Sequence, residues 1–272
     1  MITASLVLYK SKESEVTRVL ECVNNSCIDI VYVVDNSPKD TLRSIVENTS
    51  KKTRYFFGQG NVGYGEGNNI AMREAIAQNA KYHVIINPDI IFDSDVIDHL
   101  VNYMDGKDDV GLIKPKQVSP NRPGDWTAKL LPTPLDVFGR KFMPQSLVDK
   151  INRRYEMQEV DLSVIRNVPN FSGSFLFLRV STLEQVGLFD ERYFMYFEDF
   201  DLVRRIHKVS KTIYYPYDTI VHAHNAEHRR NKTLLKIGLK SGIRYFNKWG
   251  WFFDSDRRRW NREALSDESI CK

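Results

Sequence analysis

The feature that most constrains the fold of this chain is a regular alternation of short apolar runs with helix-periodic segments between residues 1 and 115. Strands are expected at Ile2–Tyr9, Ile28–Val34, Thr53–Phe57 and Tyr82–Ile86, and helices at Glu13–Asn24, Asp40–Asn48 and Asn68–Asn79. Parallel strands need long crossover connections, which are usually helices. The alternation therefore predicts an α/β fold in which helices flank a mostly parallel, Rossmann-like sheet.

The pattern loosens from about Lys116 to Val168, where prolines recur. Proline fixes φ and removes a backbone donor, so these residues are expected to break any long element into loops. Regular structure returns downstream, with strands or helices expected at Ser174–Arg179, Ser181–Val186, Asp199–Lys208, Thr212–Tyr215 and Thr219–Val221.

Composition excludes several classes of protein. A chain of 272 residues, 42% of them hydrophobic, can bury a large core and is not disordered as a whole. A net charge of +4 is too small to indicate nucleic-acid binding. Its three cysteines lack metal-ligand spacing and favour a reducing compartment. No run approaches the roughly 18 apolar residues of a spanning helix, and the N-terminus lacks a basic leader, so a cytoplasmic, soluble or peripheral protein is expected.

Polar residues follow each of the first four predicted strands. They are Tyr9-Lys10, Asp35-Asn36-Ser37, Gly58 to Asn69, and Asn87-Pro88-Asp89. In open α/β sheets, ligands bind beyond the carboxyl ends of the strands. The sequence therefore predicts that these residues converge on one cleft.

Asp89 is the first candidate for a metal ligand. A carboxylate on a turn fixed by Pro88 can hold Mg²⁺ or Mn²⁺ together with a diphosphate. The alternative is a plain turn, since Asn, Pro and Asp are common turn formers.

Several motifs, in this order and spacing over residues 1 to 225, resemble the inverting glycosyltransferases of the large bacterial GT-A family, glycosyltransferase family 2, and in particular its rhamnosyltransferase-like branch. They are a first strand ending in Tyr9, Val33-Val34-Asp35-Asn36-Ser37, Asn61-Val-Gly63-Tyr-Gly65-Glu-Gly67-Asn68, Asn87-Pro-Asp89, and the run from Gly173-Ser174 through Gly187-Leu-Phe-Asp190 to Glu198-Asp199-Phe-Asp201. The resemblance implies a GT-A fold and transfer of a sugar from a nucleoside diphosphate sugar.

The resemblance also implies the donor site. Asp35 is expected to contact the base or the ribose, because a carboxylate can accept hydrogen bonds from ribose hydroxyls or from an N–H of the base. The remaining residues expected to bind the nucleotide sugar are Tyr9, Asn36, Gly63, Asn68, Asn87, Asp89, Gly173 and Ser174. Family members usually carry Asp-x-Asp where this chain has Asn87-Pro88-Asp89. Asp89 is therefore expected to be the main metal ligand, with Asn87 at most a neutral helper.

Glu198 and Asp199 are the expected catalytic residues. Inverting transfer needs a base that takes the proton of the acceptor hydroxyl, and the resemblance assigns this role to Asp199, with Glu198 beside it. The alternative is that acids at the start of a helix are favoured by the helix dipole alone. The preceding aromatic run, residues 193–197, is interpreted as core packing, with a sugar-stacking platform as the alternative.

The family often places a histidine near the diphosphate or metal after a late strand. His222 and His224 alternate in direction if the strand continues, so one of them is expected to face the cleft. His224 is predicted to be that residue and a second metal ligand.

Residues 229–260 interleave basic and aromatic side chains. Lys232, Lys236 and Lys240 repeat at helical spacing, as in a helix that lies on an anionic membrane surface. A helix packed on the rest of the protein, or a contact in an oligomer, is the alternative.

Together these observations predict a catalytic domain over residues 1–228, with a nucleotide-binding half at 1–115 and an acceptor-binding half at 116–228, followed by a helical tail at 229–272. The expected reaction is inverting, metal-dependent transfer of a sugar, L-rhamnose from dTDP-rhamnose as the first candidate, to a lipid-linked or growing cell-surface polysaccharide. Transfer from a UDP-sugar and a non-catalytic glycan-binding role are the alternatives. A sugar nucleotidyltransferase is disfavoured because no glycine-rich basic loop follows the first strand.

Overall fold

The computed structural model describes residues 1–120, 124, 127–139, 143–223 and 232–271. Its strands are β1 (Ile2–Leu8), β2 (Ile30–Asp35), β3 (Thr53–Phe57), β4 (Tyr82–Ile86), β5 (Ile90–Ile91), β6 (Val110–Val118), β7 (Arg166–Asn167), β8 (Phe175–Arg179) and β9 (Lys211–His222). Its helices are α1 (Glu13–Asn24), α2 (Arg43–Thr49), α3 (Tyr64–Ala77), α4 (Val96–Asp105), α5 (Pro134–Phe138), α6 (Gln145–Tyr155), α7 (Val180–Val186), α8 (Glu198–His207), α9 (Lys232–Trp249) and α10 (Ser255–Ala264).

One sheet carries the described strands in the order β3-β2-β1-β4-β8-β6-β9-β5, and β7 pairs with β9. The pairs among β1 to β4 and the pair β6 with β9 are parallel, whereas β8 runs antiparallel to both β4 and β6. The prediction of a helix-flanked, mostly parallel α/β sheet is confirmed. As a result, the carboxyl ends of β1, β2, β4, β6 and β9 and the amino end of β8 lie at one edge of the sheet.

The core lies on both faces of this sheet because successive strand side chains point to opposite faces. In β8, Phe175 and Phe177 join one apolar cluster, and Leu176 and Leu178 join the other. Helices cover both clusters with apolar stripes of helical period. In α1, for example, Val16, Val19, Leu20 and Val23 are the buried residues.

Three expectations for the secondary structure are corrected. Helix α3 begins at Tyr64 rather than Asn68, because the chain turns into the helix at Gly63, where φ is +91°. The two strands expected at 212–215 and 219–221 are one strand, β9, with an irregular register opposite Pro115 and Lys116. The proline-rich stretch is not all loop, because it contains α5 and the eleven-residue α6.

The tail packs on the rest of the molecule through one face of α9. Tyr245 and Phe246 are fully buried there against Tyr193 and Phe197. Asp201 of α8, also fully buried, accepts hydrogen bonds from Lys248 Nζ at 2.9 Å and Trp249 Nε1 at 2.8 Å. The tail is therefore attached by apolar burial and by a buried carboxylate. Among the described residues, no helix is both long and apolar enough to cross a membrane.

A buried ion pair adds a second attachment. The Arg204 guanidinium of α8 donates two hydrogen bonds to the Asp254 carboxylate, at 2.7 and 2.8 Å, and both side chains are almost completely buried. Arg204 also stacks over Trp249, with Cζ 4.2 Å from the ring centroid. Removing the Asp254 charge would leave the buried Arg204 guanidinium without its carboxylate, and breaking a buried pair in this way typically costs about 3–5 kcal/mol.

We therefore expect Asp254→Asn to lower the free energy of unfolding by roughly 3 kcal/mol or more. The pair of Arg259 with Asp256, whose side chains are 54% and 33% exposed, provides the matched control, because Asp256→Asn should cost less than about 1 kcal/mol. Urea unfolding followed by circular dichroism measures both. Equal losses in the two variants would contradict a structural role for the buried pair.

Candidate functional site

The turn after β4 places Asn87 and Asp89 at the edge of the sheet where the strand ends converge. The backbone N–H of Asn87 donates to the carbonyl of Ser174 at 2.9 Å, which continues the antiparallel pairing of β4 with β8. The carbonyl of Asp89 accepts from the N–H of Ala223 at 2.9 Å, just after β9. The turn is thus held from both sides by backbone hydrogen bonds.

Tyr64, the first residue of α3, connects this turn to the segment before β8. Its hydroxyl lies 2.9 Å from Oδ1 of Asn87 and 2.6 Å from the carbonyl oxygen of Gly173. Burial raises the pKa of Tyr64 well above its usual range, and the negative charges of Glu198, Asp199 and Asp89 raise it further. Three carboxyl groups therefore act electrostatically on the Tyr64 hydroxyl and keep it protonated.

Asp199 lies at the start of α8 and faces the same segment. Its Oδ2 accepts from the N–H of Gly173 at 2.8 Å, and its Oδ1 accepts from the N–H of Phe200 at 2.9 Å. A Cβ on Gly173 would lie 3.0 Å from the Cβ of Asp199, so glycine allows this close approach. The carboxylate is oriented by two backbone donors, as a positioned base requires.

The turn that presents Asp199 has an unusual backbone. Tyr196 and Phe197 both have left-handed φ values, +69° and +67°. Non-glycine residues adopt this region at a cost of about 1 kcal/mol or more, and such strain concentrates at functional sites. Within the aromatic run, Tyr193 and Phe197 are buried as the core interpretation predicts, whereas Phe194 and Tyr196 are exposed.

Burial dominates the electrostatics of the two neighbouring acids. It raises the pKa of Glu198 well above the usual range, and the charge of Asp199 raises it further. Burial also raises the pKa of Asp199, against the opposing effects of the Gly173 and Phe200 N–H groups and of Lys129 and Lys114. Among the described residues, Oε2 of Glu198 has no hydrogen-bond partner. The pair is therefore more basic than exposed carboxylates.

The raised pKa of Glu198 predicts a pH dependence of stability. A carboxyl group with a higher pKa in the folded than in the unfolded chain favours folding below the unfolded value, and this contribution is lost as pH rises through the folded pKa. We therefore expect the free energy of unfolding to decrease as pH rises above the ordinary glutamate range. Glu198→Gln should reduce this decrease and be the more stable protein at neutral pH.

Urea unfolding at a series of pH values measures this dependence, with Glu184→Gln on the exposed side of α7 as the control. The same pH slope in wild type and Glu198→Gln would contradict the assignment.

Asp89 and His222 form the part of the site that could hold a cation. Oδ2 of Asp89 lies 3.0 Å from Nε2 of His222, and both side chains are mostly buried. Among the described residues, no group of three or more His, Cys, Asp or Glu side chains is arranged to hold a metal ion. The Asp89 carboxylate nevertheless fits Mg²⁺ or Mn²⁺, since Mg²⁺ is usually held by one or two carboxylates and the phosphates of a substrate. His224, the predicted second ligand, lies outside the described residues.

Asp35 and Asn36, which are predicted to bind the nucleotide, lie at the end of β2. Both are buried, and Asp35 accepts from the Tyr55 hydroxyl at 2.5 Å and from the N–H of Ser37 at 2.9 Å. Asn36 donates to the carbonyl of Gly63 at 3.0 Å. The end of β2 is therefore joined to the start of α3. Tyr9, at the end of β1, is half-exposed at this edge.

Gly63 is required by geometry at this junction. Its φ is +91°, and a Cβ there would meet the carbonyl oxygen of Phe194 at 2.2 Å. Asn68, one turn into α3, is buried and lies 2.6 Å from the Ser5 hydroxyl through Oδ1 and 3.0 Å from the carbonyl of Tyr64 through Nδ2. Its amide is occupied inside the fold, so a contact with the donor remains a prediction without a supporting contact here.

The structure thus brings together most of the predicted residues and adds others. Asn87, Asp89, Gly173, Ser174, Glu198 and Asp199 lie around Tyr64 or one hydrogen bond from it, and Asp35, Asn36 and Gly63 form the adjoining corner. Sequence reasoning missed Tyr64, Lys114 and Gln117. A signal for Tyr64 was its position inside the glycine-spaced loop, between Gly63 and Gly65.

The chain shares sequence with proteins of known activity. Over 206 residues the chain is 28% identical to the N-acetylglucosaminyl-diphospho-decaprenol L-rhamnosyltransferase of Mycobacterium tuberculosis; the match covers 71% of this chain and 66%, just under two thirds, of that enzyme. It is 25% identical over 253 residues to the rhamnosyltransferase WbbL of Escherichia coli K12, covering 88% of this chain and 90% of WbbL.

Solved structures share the fold at low sequence identity. GalNAc-T7, solved with UDP, GalNAc and Mn²⁺, superposes with a TM-score of 0.68 at 12% identity, over 92% of this chain and 48% of that one. The mannosyltransferase PcManGT of Pyrobaculum calidifontis, solved with GDP-Man and Mn²⁺, gives 0.61 at 15% identity, over 91% and 63%. These likenesses show the GT-A fold.

The sequence model of one protein family, described as glycosyl transferase family 2, matches residues 6–187, which is more than half of the chain. This span includes the turn of Asp89, the start of α3 and the Gly173-Ser174 segment described above. The chain belongs to glycosyl transferase family 2.

Proposed function

We propose that this glycosyltransferase is an inverting enzyme that moves one sugar from a nucleoside diphosphate sugar to a hydroxyl of a lipid-linked or growing cell-surface polysaccharide. The observation that carries the proposal is the arrangement around Tyr64, whose hydroxyl contacts Asn87 and Gly173 between Asp89 and Asp199. One cleft therefore contains both Asp89, which could hold a cation against the leaving diphosphate, and Asp199, which could take the proton of the acceptor hydroxyl.

Asp199 is the proposed base. The acceptor hydroxyl attacks the anomeric carbon from the side opposite the diphosphate and gives its proton to a carboxylate oxygen of Asp199 as the new bond forms. The bond between the anomeric carbon and the diphosphate oxygen breaks, and the electron pair leaves with the diphosphate. The raised pKa of Asp199 brings its basicity closer to neutral pH, which favours this proton transfer.

Asp89, with His222 beside it, is the proposed site for Mg²⁺ or Mn²⁺. A bound divalent cation would supply positive charge to the diphosphate as it leaves. Both solved relatives described above hold Mn²⁺, one with UDP and one with GDP-Man. Asn87 takes part through its carboxamide oxygen, which Tyr64 already orients.

The donor proposed first is dTDP-rhamnose. Two relatives with 25 to 28% identity are named as rhamnosyltransferases, and one is named for a diphospho-decaprenol acceptor. A hexosyltransferase of Haloferax volcanii, Agl10, is similarly related at 27% identity over 59% of its length. Transfer of another hexose is therefore the principal alternative, and UDP, with which GalNAc-T7 was solved, is the alternative donor nucleotide.

Two substitutions separate the two proposed roles. Asp89→Ala should abolish the Mn²⁺-dependent thermal stabilisation that a donor nucleotide gives, and with it the transfer activity. Asp199→Asn should retain that stabilisation but lower kcat by about 10²- to 10⁴-fold, as loss of a general base typically does. Thermal shift with UDP, dTDP, GDP and their sugars, each with and without Mn²⁺, measures the first effect and names the donor class.

Asp93→Ala serves as the control, because Asp93 is exposed four residues after Asp89. Full turnover by Asp199→Asn would remove Asp199 as the base. Sugar binding with no response to any nucleotide would favour the non-catalytic glycan-binding alternative.

A lipid-linked acceptor would place the enzyme at the cytoplasmic face of the membrane, and α9 has a suitable surface. Leu235, Leu239 and Ile243 recur every fourth residue and are 48%, 40% and 47% exposed. Each is followed by a cation, Lys236, Lys240 or Arg244. Beyond the helix, Phe252 and Phe253 are 72% and 90% exposed. Apolar side chains flanked by cations match the boundary between acyl chains and anionic headgroups.

We expect the double variant Leu239→Asp with Ile243→Asp to bind vesicles of phosphatidylglycerol and phosphatidylcholine at least about tenfold more weakly than wild type, because two apolar side chains no longer enter the bilayer. Vesicle flotation measures the binding. Leu147→Asp on α6, where Leu147 is 43% exposed, is the matched control. Equal flotation of all three proteins would contradict membrane docking through α9.

A further inference from the structure

A line of hydrogen bonds leads from a buried lysine of β6 to Asp89. Lys114 Nζ lies 3.1 Å from the Ser174 hydroxyl oxygen, which lies 2.6 Å from Oε1 of Gln117. Nε2 of Gln117 lies 3.1 Å from Nδ1 of His222, and Nε2 of His222 lies 3.0 Å from Oδ2 of Asp89.

The direction of these hydrogen bonds follows from the lysine at one end and from the orientation of the Gln117 amide. An ammonium group only donates, so the Ser174 oxygen accepts from Lys114. The Gln117 atom that faces Ser174 is Oε1, which only accepts, so the Ser174 hydroxyl donates its proton to it. The NH₂ end of the Gln117 amide then donates to Nδ1 of His222. Nδ1 is thereby the unprotonated ring nitrogen, and Nε2 carries the proton that it donates to Asp89.

The sheet explains why these side chains meet. β6 and β9 pair in parallel near their carboxyl ends, with Val118 opposite Val221, so Gln117 and His222 lie at the same edge. Lys114 also donates to the carbonyl of Ser172 at 2.7 Å, just before Gly173. The buried Lys114 ammonium group therefore donates both to the segment before β8 and to the hydrogen bonds that lead to Asp89.

We propose that Gln117, supported by Ser174 and Lys114, is a positioning residue that holds His222 in the Nε2-protonated tautomer. His222 in turn orients the carboxylate of Asp89 for a cation bound with the donor nucleotide. The role toward the cation rests on the proposed function, whereas the tautomer is a property of the protein alone. Partners of this kind behind a metal ligand typically change metal affinity about 10- to 100-fold.

The tautomer can be measured on metal-free, ¹⁵N-labelled full-length protein at neutral pH by two-bond ¹H–¹⁵N correlation spectra, with His222→Asn to assign the His222 signals. Wild type should show the Nε2–H form. Gln117→Glu should reverse it, because a carboxylate only accepts and would take a proton from Nδ1. An Nδ1–H form in wild type, or an unchanged His222 spectrum in Gln117→Glu, would overturn the proposal.

Metal affinity gives the second readout. Calorimetric titration of Mn²⁺ into protein saturated with dTDP or UDP should show a Kd about tenfold or more higher for Gln117→Leu than for wild type. Gln185→Leu on the exposed side of α7 is the matched control, and circular dichroism confirms that each variant is folded. Equal Mn²⁺ affinity of Gln117→Leu and the control would overturn the proposal.

The two readouts separate this proposal from the proposed function. If wild type binds no Mn²⁺ with any nucleotide, the metal-dependent function fails, while the tautomer measurement still decides the role of Gln117.

Discussion

The candidate site depends on the antiparallel pairing of β8 with β4. Because β8 runs against its neighbour, the residues before β8 lie beside the residues after β4, and Ser174 accepts from the N–H of Asn87. The same short segment, 172–174, contacts Asp199, Tyr64, Gln117 and Lys114. With a parallel β8, this segment would lie at the opposite edge of the sheet. It could then contact neither Asp199 nor the turn that carries Asp89.

The sequence predicted the strands and the family well because both leave local signals. Buried strands are short apolar runs, and Asp89 and Asp199 lie in motifs of recognisable spacing. The direction of β8 leaves no such signal, because periodicity is the same for parallel and antiparallel strands. Tyr64 was missed for a related reason. The first residues of α3 include two glycines and show no apolar periodicity, so the helix was expected to begin at Asn68 and Tyr64 was assigned to the loop before it. Gln117 acquires its role only through the pairing of β6 with β9.

The acidic cluster at the start of α8 contains three carboxylates with different surroundings. Asp199 is oriented by backbone donors, Glu198 is buried with one oxygen unpaired among the described residues, and Asp201 is held by Arg205 and by Lys248 and Trp249 of α9. Charge pattern alone does not distinguish these environments, since acids at a helix start are favoured in any case. Asp201 connects the cluster to the tail, so the motif that carries the proposed base also attaches the last helices.

The tail also contacts the left-handed turn at Tyr196 and Phe197, which precedes Asp199. α9 meets this turn with small residues: Gly242 lies against the Phe197 ring, and the Ser241 hydroxyl donates to the carbonyl of Met195 at 2.8 Å. A strained backbone persists only where its surroundings hold it. The tail therefore helps to hold the turn that presents Asp199, the proposed base. The family-matched residues 6–187 contain Asp35, Asn36 and Gly63 but neither the carboxylate proposed as base nor the helix that holds its turn in place.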